Sequence, residues 1–155
     1  MKLIPTASQT VGPFFSIGLE PLCQDVDAAL SAAPHSIALQ GAVLDGNKEP
    51  IPDCVLEFFA ANLFARVATT SGGKYRVAIP RASHMCEVLV FMRGLLRPTL
   101  TRVYFDELAI EGDVALQNVP GNRISTLVAR RLGAQTQHEW NVVMQGEDET
   151  VFFDF

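Results

Sequence analysis

The side chains best suited to metal or redox chemistry are His35, His84, His138, Tyr75, Tyr104, Cys23, Cys54 and Cys86. Their spacing decides what they can do. Two ligands leave one face of a strand only at i, i+2, and no two histidines stand at i, i+2 or i, i+4. The one soft-ligand pair at strand spacing is His84 and Cys86, with Glu87 adjacent. A self-sufficient metal centre on these three is one reading; a loop histidine beside a buried thiol is the simpler one. Tyr75 and Tyr104 each lie in an alternating apolar pattern and are expected to pack rather than to ligate as phenolates. The cysteines are odd in number, widely spaced and without Cys-x-x-Cys, which excludes a disulfide framework and a zinc site. They are expected as buried reduced thiols. Gly-x-Ser-x-Gly, the P-loop pattern and Gly-x-Gly-x-x-Gly are absent. The acidic run 146–149 is expected to be a solvated loop rather than a cation site.

The chain has 155 residues, 48% apolar and 19% charged. That length predicts one domain, residues 1–155, with a core of its own. Twelve Lys and Arg against 17 Asp and Glu leave a net charge of -5. An acidic chain has no excess of cations with which to release counterions from a polyanion, so nucleic acid is excluded as main partner. The mean hydropathy, +0.20, is high for so few charges. Either a membrane or another subunit takes the excess apolar surface. The longest unbroken apolar run, 88–92, is far short of the roughly 20 residues of a spanning helix, so another subunit is the expectation. The N-terminus Met-Lys-Leu-Ile-Pro lacks the apolar core of a secretory signal, and a cytoplasmic protein is expected.

No internal repeat and no Gly/Ser linker divides the chain. Residues 1–18 form an arm rich in Pro, Gly, Ser and Thr. The spacing of Leu22, Val26, Ala29 and Leu30 predicts one helix over 22–32, ended by Pro34. Beyond it the apolar period becomes two. Strands are predicted over 37–43, 55–59, 64–70, 74–79, 87–92 and 100–105, with residues of positive φ expected at Asp45-Gly46-Asn47. Residues 113–117 are ambiguous, and 125–130 with 139–144 are read as a terminal hairpin pair around Gly133. Short alternating strands with turn signals predict an all-β fold, an antiparallel β-sandwich with an N-terminal arm and one short helix.

Two segments are more specific than a plain sandwich requires. In the arm, Ser8-Gln9-Thr10-Val11-Gly12-Pro13-Phe14-Phe15 sets a Gly-Pro turn beside a threonine hydroxyl, so it could lie across a neighbour's cleft or cover a sheet edge. The tail, 149–155, ends in three phenylalanines within four residues. A free terminus that apolar would fray, so it is expected to dock on its own domain or on a partner.

The arm block 8–19, the block Thr101-Arg102-Val103-Tyr104-Phe105-Asp106-Glu107, the tail block 145–155, and the shorter pieces Phe91-Met92-Arg93-Gly94 and 41–46 occur in collinear order. Together they resemble the α chains of the protocatechuate 3,4-dioxygenase family of intradiol ring-cleavage enzymes. The resemblance implies the intradiol dioxygenase type of β-sandwich and a hetero-oligomer of α-type and β-type chains. It further implies that the β chain holds a non-haem Fe(III) through two tyrosines and two histidines and cleaves a catechol, protocatechuate, with O₂ between the hydroxyl-bearing carbons. The α chain resembles β without binding iron, so no cofactor is expected in this chain.

The iron-ligand pattern can be laid on this sequence. The family's His-x-His precedes the Phe-x-Arg-Gly motif, where this chain has Met85 and Glu87, or His84 and Cys86 one residue earlier. The two tyrosine-bearing loops are reduced to 60–65 and 80–83, neither with a tyrosine. Thr10, Gly12 and Pro13 match arm positions that α chains present at the β iron cleft. Arg93 matches an arginine at the same subunit boundary, where a guanidinium makes planar bidentate or stacking contacts. These four are the expected walls of a partner's pocket, with no catalytic and no metal-binding residue in this chain. Without a partner the chain is expected to self-associate. The competing reading from a different class is a stand-alone β-sandwich interaction module with the same ancestry, favoured by the shortened loops.

Overall fold

A computed structural model of the chain describes residues 6–7, 9–10, 12, 14–33, 35–133 and 136–154. Two sheets face each other. The first is built around β1 (Ile37–Leu44), with β4 (Lys74–Ile79) antiparallel on one side and β8 (Gln137–Glu139) and β9 (Val142–Val143) on the other; β7 (Arg130–Arg131) lies outside β8. The second runs β3 (Leu63–Ala68), β2 (Val55–Ala60), β5 (Met85–Phe91), β6 (Thr99–Tyr104), antiparallel throughout. All six strands predicted between residues 37 and 105 are present, because alternation puts one face of each in the core. Leu39, Val43, Val77 and Ile79 meet Leu56, Phe58, Val88, Val90 and Val103 in a cluster from which solvent is excluded. Cys54 and Cys86 lie there as small apolar groups, Cys23 is half-buried, and all three are free thiols.

The antiparallel expectation needs one amendment. β8 and β9 run parallel to β1, in the registers Leu39 with His138 and Val43 with Val142. They are two pieces of one strand interrupted at Trp140 and Asn141. There the Trp140 N–H donates to the Gln40 carbonyl at 2.9 Å, and the Asn141 side-chain oxygen accepts the Ala42 N–H at 2.9 Å. The Trp140 carbonyl turns inward and accepts the Tyr75 hydroxyl at 2.7 Å. That carbonyl occupies the space of a side chain on β1: a Cβ built on Gly41 would stand 1.7 Å from Trp140 O and 3.1 Å from the Tyr75 ring.

Several local expectations are corrected. The helix predicted over 22–32 spans only Val26–Ala32 (α2). Leu22 belongs to a 3₁₀ turn, Glu20–Leu22, and is exposed, and the Asp25 carboxylate restarts the chain as N-cap by accepting the Ala28 N–H at 3.0 Å. Within the arm, Phe14–Leu19 is helical (α1), an element the sequence reading did not predict. Two further short helices, Glu107–Glu111 (α3) and Gly121–Ile124 (α4), escaped the pattern because neither spans two turns. Residues 114–116 and 125–127 are 3₁₀ turns, so the terminal hairpin shrinks to β7 and β8. In the β1–β2 turn the positive φ falls on Lys48 and Asp53 rather than on 45–47. Asp45 Oδ1 accepts the N–H groups of Asn47 and Glu49 at 2.8 and 2.9 Å and fixes that turn itself.

The tail docks on its own sandwich. Thr150 and Val143 exchange hydrogen bonds of 2.9 Å, the Thr101 hydroxyl donates to Val151 O at 2.7 Å, and Phe153 N–H donates to Leu100 O at 2.8 Å. The tail thereby closes the β6 edge, and with Tyr104, Leu116 and Leu127 it forms a second apolar cluster outside that strand. At the opposite edge Gln24 bridges both sheets. Its N–H donates to Arg66 O of β3 at 2.7 Å, and its side-chain amide pairs with both backbone groups of Ala78 on β4, at 2.8 and 3.2 Å.

The Gly41 contact yields an expected outcome. Gly41→Ala drives a methyl into a backbone carbonyl that cannot move without breaking the Tyr75 bond. It will lower unfolding free energy by about 3 kcal/mol or more, read as a drop in the urea midpoint. Gly18→Ala, where a Cβ meets nothing within 4 Å, will leave the midpoint unchanged or raise it.

Candidate functional site

The arm approaches the second sheet at the C-terminal end of β5. The chain turns at Gly12, whose φ of +61° is left-handed and whose N–H donates to the Thr10 hydroxyl at 3.3 Å. Helix α1 follows and sets Phe15 against Phe91, ring centroids 6.5 Å apart. Between arm and sheet runs a groove of about 180 Å³ bordered by Gln9, Thr10, Phe15, Phe91, Leu96 and Arg97 among others. Thr10 is exposed, and a Cβ on Gly12 would meet nothing within 4 Å. The turn therefore faces open space.

Of the four residues expected at the site, Thr10 lines the groove and Gly12 makes its turn. Pro13 lies outside the described residues. Arg93 is not brought to the groove: it follows β5 in a turn completed by Gly94 at φ +92°, and its guanidinium sits 3.5 Å from Asp53, both side chains about half exposed. The cation that borders the groove is Arg97, which sequence reasoning passed over. Its only signal was a charge four residues past Arg93, at the end of the apolar pair Leu95-Leu96 and before a proline. Around the arm, Phe14 and Ile17, at i and i+3 on α1, and Leu96 are 74, 62 and 62% exposed. This apolar surface accounts for part of the high mean hydropathy.

The side chains weighed for metal chemistry are committed elsewhere. Tyr75 is fully buried, its hydroxyl is spent on Trp140, and burial pushes its pKa well above the ordinary value. Tyr104 is pushed up to about 12 by burial, with a further rise from its 2.6 Å hydrogen bond to Asp113. Neither supplies a phenolate near neutrality. Burial likewise pushes the Cys54 and Cys86 thiols up to about 12. His84 is largely exposed and paired with Asp106, whereas Cys86 lies in the core, so the two do not form a ligand pair. Among the described residues no group of three or more His, Cys, Asp or Glu is placed to hold a metal ion. The β2–β3 connection is a two-residue hairpin closed by Ala60 opposite Leu63. Among the described residues, these side chains are not placed to hold a ferric ion.

Tyr104 belongs to a polar network on the outer face of the second sheet. Asp113 Oδ2 accepts from the Tyr104 hydroxyl and from Arg102, both at 2.6 Å, and Arg102 also reaches Glu87 at 2.9 Å and lies over the Phe153 ring at 5.3 Å. This network ties β6, the 3₁₀ turn after Asp113 and the tail together.

No family model matches the chain. It is 37% identical to the protocatechuate 3,4-dioxygenase alpha chain of Burkholderia cepacia, over 96% of each chain. It is 30% identical to the protein of the same name from Pseudomonas putida, over 100% of this chain and 99% of that one. These alignments run 191 and 200 positions against 155 residues here, so both relatives carry stretches without counterpart in this chain. Among solved structures, hydroxyquinol 1,2-dioxygenase from Pseudomonas putida DLL-E4 superposes with a TM-score of 0.54 at 14% identity, covering 72% of this chain and 57% of that one. That likeness shows a shared fold.

The Asp113 network has a pH signature. Burial works against the Asp113 charge, but the Tyr104 hydroxyl, the Ala115 N–H and Arg102 outweigh it and hold the carboxyl below the usual range. Its folded pKa is depressed, so its stabilisation is present above the unfolded value, about 3.9, and is lost as pH falls through the folded value. Asp113→Asn will cost about 1–3 kcal/mol at pH 7. The difference from the parent chain will narrow toward pH 3, read from urea midpoints at the two pH values.

Proposed function

The chain belongs to the family of protocatechuate 3,4-dioxygenase α chains, and from that membership we propose that it is the α-type subunit of an intradiol dioxygenase acting on protocatechuate. It works as one domain over residues 1–155, beside a β-type chain that holds the Fe(III). The observation that carries the reading is the match over 96% of each chain to a relative named as an α chain. The commitment of both tyrosines and of Cys86 to internal packing supports the assignment of the iron to the partner. Both relatives being α chains favours the subunit over the stand-alone module. The free thiols of Cys23, Cys54 and Cys86 are in keeping with a reducing cytoplasm, and no helix of the described residues is long and apolar enough to cross a membrane.

In this reading the chemistry of ring opening belongs to the β chain, and this chain contributes shape. The arm docks by Phe15 on Phe91 and presents Thr10, Gly12 and Pro13 as a wall of the partner's pocket. Arg93, steadied by Asp53 and half-exposed, stands at the same boundary. The exposed Phe14, Ile17 and Leu96 supply the apolar surface that an obligate interface buries. Glycine at position 12 serves two ends: it adopts the left-handed turn, and it leaves the cleft unobstructed. The arm's value is positional, since displacing a bound substrate by about 1 Å can lower a rate roughly 100-fold.

Co-expression with a β-type chain carrying two tyrosines and a His-x-His tests the assignment. The two chains should co-purify as a coloured ferric complex that cleaves protocatechuate. A chain that stays colourless and alone beside a matched β partner would refute it. Within the complex, Gly12→Val will lower turnover roughly 10- to 100-fold while the α-to-β ratio after size exclusion stays near that of the parent. Equal losses of turnover and assembly would show that the arm only holds the subunits together.

A further inference from the structure

A second pocket, about 190 Å³, opens at the other end of β5 and β6 from the arm groove. It is bordered by Arg81, Ser83 and His84 from the β4–β5 loop, Phe105 and Asp106 beyond β6, and Arg131 and His138 from the β7–β8 hairpin. The six-residue length of β6, at roughly 3.3 Å per residue, sets it about 20 Å from the groove.

Three features give this pocket a chemical character. First, Arg81 and Arg131 are exposed at its mouth and make no ion pair among the described residues. The one carboxylate on its wall, Asp106, is already engaged by His84 and by the Ala109 N–H. Two uncompensated guanidiniums thus converge on a concave site in a chain of net charge -5. Second, His138 stands directly opposite Arg131 across the β7–β8 ladder, so both side chains leave the same face. His138 is 3% exposed, and its Nδ1 has no hydrogen-bond partner. The Thr136 backbone lies close to the ring. Third, the Phe105 ring, edge-on to His138 at 5.6 Å, gives the site an apolar wall.

We propose that this pocket binds a small carboxylic acid, its carboxylate held by Arg81 and Arg131 with Ser83 as a further donor, and its hydrocarbon body against Phe105. Planar guanidiniums suit a carboxylate in bidentate geometry. The volume equals that of about six waters at roughly 30 Å³ each, enough for a benzoate-sized acid. Burial, and next the nearby Arg131, lower the His138 pKa; the ring therefore stays neutral in the free chain and leaves the two arginines to set the charge of the site. The site lies wholly within this chain and does not rest on the proposed β partner.

Calorimetric titration of the full chain, without a β partner, with benzoate at low ionic strength tests this directly. Benzoate should bind at one site per chain, and Arg81→Gln and Arg131→Gln should each weaken it about tenfold or more. Both arginines are exposed and unpaired, so the variants will fold, and an unchanged urea midpoint will establish that. Inorganic phosphate, which has no body to set against Phe105, should bind more weakly than benzoate. Failure of benzoate to bind, binding unaffected by both arginine variants, or phosphate binding as tightly as benzoate would each overturn the assignment.

Discussion

The close approach of one backbone carbonyl to one glycine organises this sandwich. The Trp140 carbonyl occupies the volume where residue 41 would carry a side chain, and the Tyr75 hydroxyl meets it there. The consequence is the break between β8 and β9: the strand leaves β1 for two residues and returns in parallel register. The same tryptophan sends its indole N–H to Thr126 O at 2.9 Å, and the Thr126 hydroxyl accepts the Val151 N–H at 3.2 Å. One residue therefore links the central strand, the β4 edge, the 3₁₀ turn before β7 and the tail. A buried carbonyl without partners would be costly; here it accepts from the one tyrosine hydroxyl in the main core.

Around that hub both open sides of the sandwich are closed by short, specific polar contacts rather than by more strand. Gln24 imitates a strand neighbour to β4 with its side-chain amide while its own N–H pairs with β3, and this holds the segment that follows the arm. Thr101 and Arg102 on β6, and Thr150 through Val143 of β9, do the same for the tail. Such closure hides the unpaired groups of edge strands. It also leaves α1 and the Gly12 turn free to project from a firm base. A subunit that contributes walls to another chain's pocket needs this combination of anchored root and open tip.

The strands were legible because their alternation is a direct record of which face is buried, and residues 37–105 carry six such records. The short helices were not, because a single turn offers no period; Asp25, Asp106 and Asp113 start three of these elements as side-chain caps, a signal visible only once the chain's direction is known. The Lys48 and Asp53 conformations were missed for a related reason: Asp45 satisfies its own turn and shifts the left-handed residues downstream. For the site, Thr10 and Gly12 came from the resemblance and not from any local pattern. Arg93 came from its motif, and a motif position does not report that Arg97 is the arginine bordering the groove.

By itself the sequence determined the β-sandwich, the burial of Cys54 and Cys86 though not of Cys23, and the poverty of metal-ligand spacing, since these follow from residue type and period along the chain. Tertiary structure alone decided where the tail docks, which arginine borders the arm, and why Gly41 has no side chain. It also alone set the buried His138 beside two arginines that make no ion pair among the described residues. These are facts of proximity between residues up to about a hundred positions apart, as with Gly41 and Trp140 or Ala42 and Asn141. No one-dimensional pattern encodes them, because they arise only when two sheets settle at a fixed distance with every buried polar group seeking a partner.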